Sequence, residues 1–78
     1  MSLPQQNVKT SSYNNTTQSN GVINVGSKRI VIAVDNDQGF RGIPFLYKGY
    51  AYIAFSSFDG LTPKAGENVS GTYYYFDL

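Results

Sequence analysis

The sequence predicts an all-β domain, a small barrel of four or five short strands, on three observations. Segments rich in β-branched and aromatic side chains follow one another from Gly21 to the C-terminus. Gly, Pro, Asn and Asp separate them at short intervals, as turns require. No stretch repeats its apolar residues at a period of 3.6 over three turns, so helix is a minor component. Closure into a barrel also removes the sheet edges that such apolar strands would otherwise have to blunt.

The chain divides near Gly21, into residues 1–20 and 21–78. Ser2 to Asn20 is built almost wholly of Gln, Asn, Ser and Thr, with Leu3, Val8 and Tyr13 as its sizeable apolar side chains. That content cannot offset the entropy of ordering, which predicts a flexible tail. The alternative is an assembly arm that orders against a neighbouring subunit, with Tyr13 as its anchor.

Val22 to Val34 is expected to form one bent strand, although Val22-Ile23-Asn24-Val25 could pair separately ahead of Gly26. Within Lys28 to Val34, a regular strand sets Ile30, Ile32 and Val34 on one face. Asp35-Asn36-Asp37-Gln38-Gly39 makes a turn. Phe40 to Tyr47 is the next strand, and Pro44 inside it requires an edge or a bulge. Lys48-Gly49 turns the chain into Tyr50 to Phe55, whose Ala51, Ile53 and Phe55 oppose Tyr50, Tyr52 and Ala54. Ser56 to Asn68, with Asp59-Gly60, Pro63 and Gly66, is a loop holding at most a short turn of helix. Val69 to Phe76 is the last strand, and its Tyr73-Tyr74-Tyr75 run must alternate faces.

Composition restricts function more than it assigns it. Seventy-eight residues make at most one domain, and one of this size buries only about 60% of the surface its unfolded chain exposes. Without Cys or His there is neither a disulfide nor a zinc site to support it, and no metal or cofactor is expected. Asp35-x-Asp37-x-Gly39 opens like a calcium loop, but the twelfth position from Asp35 is Leu46 and not the bidentate Glu such a loop needs. A nucleophile would have to be Ser or Thr activated by Lys, and no carboxylate pair is evidently placed as acid and base, so an enzyme is not expected. No glycine-rich phosphate loop occurs, and the Asn14, Asn15 and Asn68 glycosylation patterns read as chance in so Asn-, Ser- and Thr-rich a chain. Without an apolar run of membrane length or a signal-peptide pattern, the expected location is the cytoplasm, of a host cell if the protein is viral.

What remains is rings, amides and a few charges. Eleven of the twelve Tyr and Phe residues lie between Phe40 and Phe76. The net charge is only +1, too little for a binding mode that rests on phosphate contacts, so a nucleic-acid ligand would have to be held mainly by stacking.

Gln38-Gly39-Phe40-Arg41-Gly42-Ile43, followed after seven residues by Ala51-Tyr52-Ile53-Ala54-Phe55-Ser56, resembles the paired ribonucleoprotein motifs of the cold-shock domain. Gly66-Glu67-Asn68-Val69 is similar to that family's entry into its last strand. The resemblance covers about Ile30 to Phe76 and implies a five-stranded OB-type barrel that binds single-stranded RNA or DNA. Carried over by position, it makes Phe40, Tyr52 and Phe55 stacking platforms, each worth roughly 1–3 kcal/mol per base. Gln38, Gly42, Ala54 and Ala33 stand where the family has a basic residue, Phe, His and Trp, and each difference removes a contact. Arg41 can stack and pair with phosphate, Lys48 can pair with phosphate, and Phe45 joins Phe40 if Pro44 marks a bulge.

Phe55 shares a face with Ile53 and is also a core candidate, whereas Phe40 and Tyr52 are expected at the surface. Tyr47, Tyr50 and Tyr73 to Tyr75 are candidates for cross-strand pairs, and Lys28, Arg29, Lys48 and Lys64 for a weak basic rim. The expected function is binding of single-stranded nucleic acid through Phe40, Arg41, Phe45, Lys48, Tyr52 and Phe55. The alternative is a homo-oligomeric or partner-bound assembly protein, such as a viral or phage component, packing through tyrosine-rich faces and the N-terminal arm.

Overall fold

The computed structural model describes residues 7–18, 21–57 and 66–78. They form six strands: β1 (Lys9–Thr16), β2 (Val22–Ser27), β3 (Arg29–Asn36), β4 (Phe40–Tyr47), β5 (Tyr50–Ser57) and β6 (Asn68–Asp77). The strands make two antiparallel three-stranded sheets, ordered β1-β6-β3 and β2-β5-β4. The all-β class holds, but the five-stranded OB-like barrel is replaced by two separate sheets facing one another across a shared core. No α-helix occurs among the described residues.

The sixth strand comes from the polar segment expected to be a flexible or assembly arm. β1 pairs in unbroken register with β6, from Lys9 opposite Tyr75 to Thr16 opposite Asn68. Two contributions outweigh the polar composition of this segment. Ladder hydrogen bonds do not depend on side-chain polarity, and a single ring in the right register supplies the burial. Tyr13 enters the core beside Phe55, with ring centroids 5.7 Å apart, and its Oη donates to the Asp35 carbonyl at 2.7 Å. Residues 1–6, part of the same arm, lie outside the described residues, as do 58–65 of the expected loop.

The expected bent strand from Val22 to Val34 is two strands in different sheets. Lys28, with φ of 57°, is the corner between them, and its carbonyl accepts from Leu78 N–H at 2.9 Å. Bulges reset the pleat on either side of this corner. Gly26 N–H is capped by Asn24 Oδ1 at 2.8 Å where β2 shifts against β5. In β3 the register against β6 slips between Val31 and Ala33. Ile32 is the extra residue, so Val31 and Val34 point inward while Ile30 and Ile32 stay exposed. The single face expected for Ile30, Ile32 and Val34 is thus split, because a bulge reverses the alternation.

Ile23, Ala51, Ile53 and Phe55 from one sheet meet Tyr13, Val31, Val69 and Tyr73 from the other. Tyr73 also ties the layers together, since its Oη donates to the Val25 carbonyl at 3.0 Å and accepts from Arg29 Nη1 at 2.6 Å. The Arg29 guanidinium covers the Tyr75 ring at 4.5 Å, a cation–π contact that shields this end of the core. At the exposed end of β1, Lys9 pairs with Asp77, which holds the Lys9 ammonium above its usual pKa.

Burial pushes the Tyr13 phenol above its usual value of 10.0, with Asn36 partly opposing through a hydrogen bond and Asp37 and Asp35 adding to the rise. The folded state therefore keeps this proton after the unfolded chain has begun to lose it. The Tyr13 contribution is whole below about pH 10 and declines as pH rises from there through the folded value. Urea midpoints measured between about pH 8 and 11 should fall, and Tyr13→Phe should flatten part of that fall. An identical slope in the variant would show that Tyr13 is not its source.

Candidate functional site

β4 and β5 carry the two segments singled out in the sequence, joined by a two-residue turn. Lys48 and Gly49 both have positive φ, 51° and 82°, the geometry of a type I′ hairpin whose twist matches its strands. This turn sets Tyr47 opposite Tyr50, Phe45 opposite Tyr52 and Ile43 opposite Ala54. No register shift occurs along the pair, so the edge position of β4, and not a bulge, accommodates Pro44.

Because residues directly opposite share a face, the outer surface of this sheet collects Arg41, Ile43, Phe45 and Tyr47 from β4 with Tyr50 and Tyr52 from β5. Phe45 and Tyr52 stack with centroids 5.2 Å apart and planes 17° from parallel. Tyr47 leans on Tyr52 at 6.4 Å, and Lys48 Nζ sits 5.3 Å from the Tyr47 ring centre. Ile43, Tyr47 and Tyr50 are 58%, 55% and 49% exposed. The strands β2, β4 and β5 contain no Asp or Glu, and Arg41 with the adjoining Lys48 places two cationic side chains on this hairpin.

Four of the six residues singled out therefore come together: Arg41, Phe45, Lys48 and Tyr52. The other two do not. Phe55 is 1% exposed and belongs to the core, where Gly42 stands opposite it in β4. Phe40 lies opposite Ser57 on the inner side of β4, half-buried against the core. A platform made of Phe40 beside Tyr52 is thus corrected to one made of Phe45 beside Tyr52. Parity explains the change: Phe40 and Phe45 are an odd number of residues apart, and without a bulge they face opposite ways. Tyr47 and Tyr50, expected only as a cross-strand pair, are such a pair and also extend the exposed ring surface.

The calcium-like segment is a turn. Asn36 Oδ1 accepts from the Gln38 and Phe40 N–H groups at 3.0 and 2.8 Å, and Asp35 Oδ2 accepts from Tyr74 Oη at 3.1 Å. That bond raises the Tyr74 phenol above its ordinary pKa, since the ionised ring would repel Asp35. No group of three or more Asp and Glu side chains converges among the described residues, and no described helix is long and apolar enough to cross a membrane. Lys28 and Arg29 lie at the β2–β3 corner, with the Arg29 guanidinium engaged by Tyr73 and Tyr75, and Lys64 falls outside the described residues. Comparison with protein-family models, curated proteins and solved structures finds no match for this chain.

Proposed function

We propose that this protein binds single-stranded nucleic acid on the outer face of the β2-β5-β4 sheet. The observation that carries the reading is the Phe45–Tyr52 stack, with Phe45 43% exposed and Tyr52 half-buried, on a face that also carries Arg41 and Lys48. Stacked rings accept any base through its π-face, and two cations at the margin suit a backbone tracked at low charge density. The motif resemblance supports the same surface through Tyr52, although Phe40 and Phe55 do not contribute to it.

Tyrosine fluorescence should report saturable binding of a mixed-sequence 10-mer at low salt. If Arg41 and Lys48 each neutralise one phosphate, the logarithm of the binding constant should fall against the logarithm of salt with a slope of about −1.4. Tyr52→Ala should weaken binding about fivefold to a hundredfold, the equivalent of one lost stack. Absence of binding to RNA and DNA 10-mers alike removes the proposal.

Ile43, 58% exposed, favours a second reading in which this face packs against protein in an assembly. Its aliphatic chain does not stack on bases. An assembly partner would bury it, so Ile43→Ser would weaken that association while leaving oligonucleotide affinity within about twofold.

A further inference from the structure

The four sheet edges are unequally guarded. β2 is broken by the bulge at Asn24 to Gly26, β3 by the bulge at Ile32, and β4 carries Pro44. β3 and β4 also lie alongside each other, which closes that flank of the sandwich. β1 has none of these devices. Its eight residues run in regular register without proline, glycine or bulge, and its one charge, Lys9, stands at the first position and is paired with Asp77. Long regular edges without such guards are templates for another strand.

The direction of the free backbone groups follows from their neighbours. Ser70 C=O accepts from Asp37 N–H, and Leu78 N–H donates to Lys28 C=O, so even-numbered residues of β6 address β3 and odd-numbered ones address β1. In an antiparallel ladder with the register of Tyr13 opposite Gly71, the odd residues of β1 then bond β6. Thr10, Ser12, Asn14 and Thr16 turn their N–H and C=O groups to the edge on which no described strand pairs, where the Ser12 carbonyl accepts from Ser11 Oγ at 3.2 Å. Their side chains stand on the outer face and are exposed.

We infer that β1 is a self-pairing edge, and that two copies of this chain join β1 to β1 in antiparallel fashion to make one six-stranded sheet. The occupant is a second copy because the edge complements itself. A two-fold axis through Tyr13 sets Thr10 against Thr16 of the partner subunit and Ser12 against Asn14 of the partner subunit, all short polar side chains that hydrogen-bond across strands. Lys9 falls beyond the paired span opposite Thr17 of the partner subunit, so no like charges meet, and a net charge of +1 opposes association little. A foreign peptide would find backbone groups here but no apolar pocket among Thr10, Ser12, Asn14 and Thr16 to select its side chains.

The axis runs perpendicular to the sheet, so both β2-β5-β4 sheets lie on one side of the dimer and their Phe45–Tyr52 faces look the same way. One extended polymer could then engage both, which raises avidity without further charge on either copy. That consequence rests on the nucleic-acid reading; the pairing does not.

Sedimentation of the full chain without oligonucleotide, from about 10 μM to 1 mM, tests the pairing. The mass should rise from 8.6 kDa toward twice that value. Hydrogen exchange should show protection at Thr10, Ser12, Asn14 and Thr16 that increases with concentration, against constant protection at Ser11, Tyr13 and Asn15. Ser12→Pro removes an edge-facing N–H, and Asn14→Lys keeps the N–H but adds charge beside the axis. Each should hold the chain monomeric with an unchanged far-ultraviolet spectrum. A wild-type chain that stays monomeric throughout, or a dimer that persists in the folded Asn14→Lys variant, overturns the inference.

Discussion

Gly71→Ala is expected to remove about half of the stability of the fold. A Cβ at this position would lie 2.0 Å from the Asp35 carbonyl oxygen and 2.6 Å from Tyr13 Oη. Neither neighbour can yield cheaply, because one is backbone in β3 and the other is the buried phenol that donates to that same carbonyl. Relief would require β3 to move from β6 or Tyr13 to leave the core, and either movement breaks a buried hydrogen bond as well as packing. Overpacking of this kind costs about 1–3 kcal/mol or more, and an orphaned buried polar group adds about 1–3 kcal/mol. A chain of this length has only about 4–12 kcal/mol in total. Gly39→Ala is the matched control, with no atom within 4 Å of the added methyl but a φ of +83°. It should cost only the left-handed conformation, about 1–2 kcal/mol. Urea denaturation of both variants separates lack of space from backbone conformation, and equal losses would refute the steric account.

The parts legible in the sequence were those set by local pattern. Phe40–Tyr47 appears with the boundaries its turn residues demand, and Val69 to Phe76 differs from β6 by one residue at each end. Lys48-Gly49 as a turn, together with period-2 alternation, is enough to place Phe45 beside Tyr52 and Tyr47 beside Tyr50. The illegible parts were set by partners distant in the chain. β1 exists because β6 offers it a ladder and Phe55 and Tyr73 offer Tyr13 a pocket, and neither is visible in the composition of Ser2 to Asn20. The bulge at Ile32 is also non-local. Ile30, Ile32 and Val34 have the alternation of a regular strand, and only pairing with β6 shows which residue is extra.

The same distinction divides the candidate site. Motif likeness weighted Phe40, Tyr52 and Phe55 equally, but a sheet has two faces and a three-stranded sheet over a core has one to spare. Which face is free depends on what lies opposite, and Tyr13 lies opposite Phe55. Arg41 and Lys48 fall on the free side because Arg41 has the parity of Phe45 and Lys48 sits at the hairpin tip.

Phe55→Ala and Phe45→Ala should therefore act on different properties. Phe55 is among the largest fully buried side chains, in contact with the Tyr13 ring and beside Ile53 and Val69 in the cluster that joins the two sheets. Removing a ring from such a site typically costs about 3–5 kcal/mol, through lost transfer energy and a cavity the surrounding strands cannot fill. In so small a domain that is a large share of the whole stability, and the urea midpoint should collapse. Phe45 is 43% exposed and stacks on Tyr52 alone among the described rings, so its loss should cost about 0.5–1.5 kcal/mol through the aromatic pair. Its effect should appear instead in the oligonucleotide titration, as the loss of one stack worth roughly 1–3 kcal/mol, or about fivefold to a hundredfold in affinity. Phe55→Leu, which keeps most of the volume, should recover much of the stability and bind as the wild type does. If Phe45→Ala unfolds the chain as Phe55→Ala does, the outer face is structural. If folded Phe55→Leu loses oligonucleotide binding while Phe45→Ala retains it, the ligand is not held on the face that Phe45 and Tyr52 share.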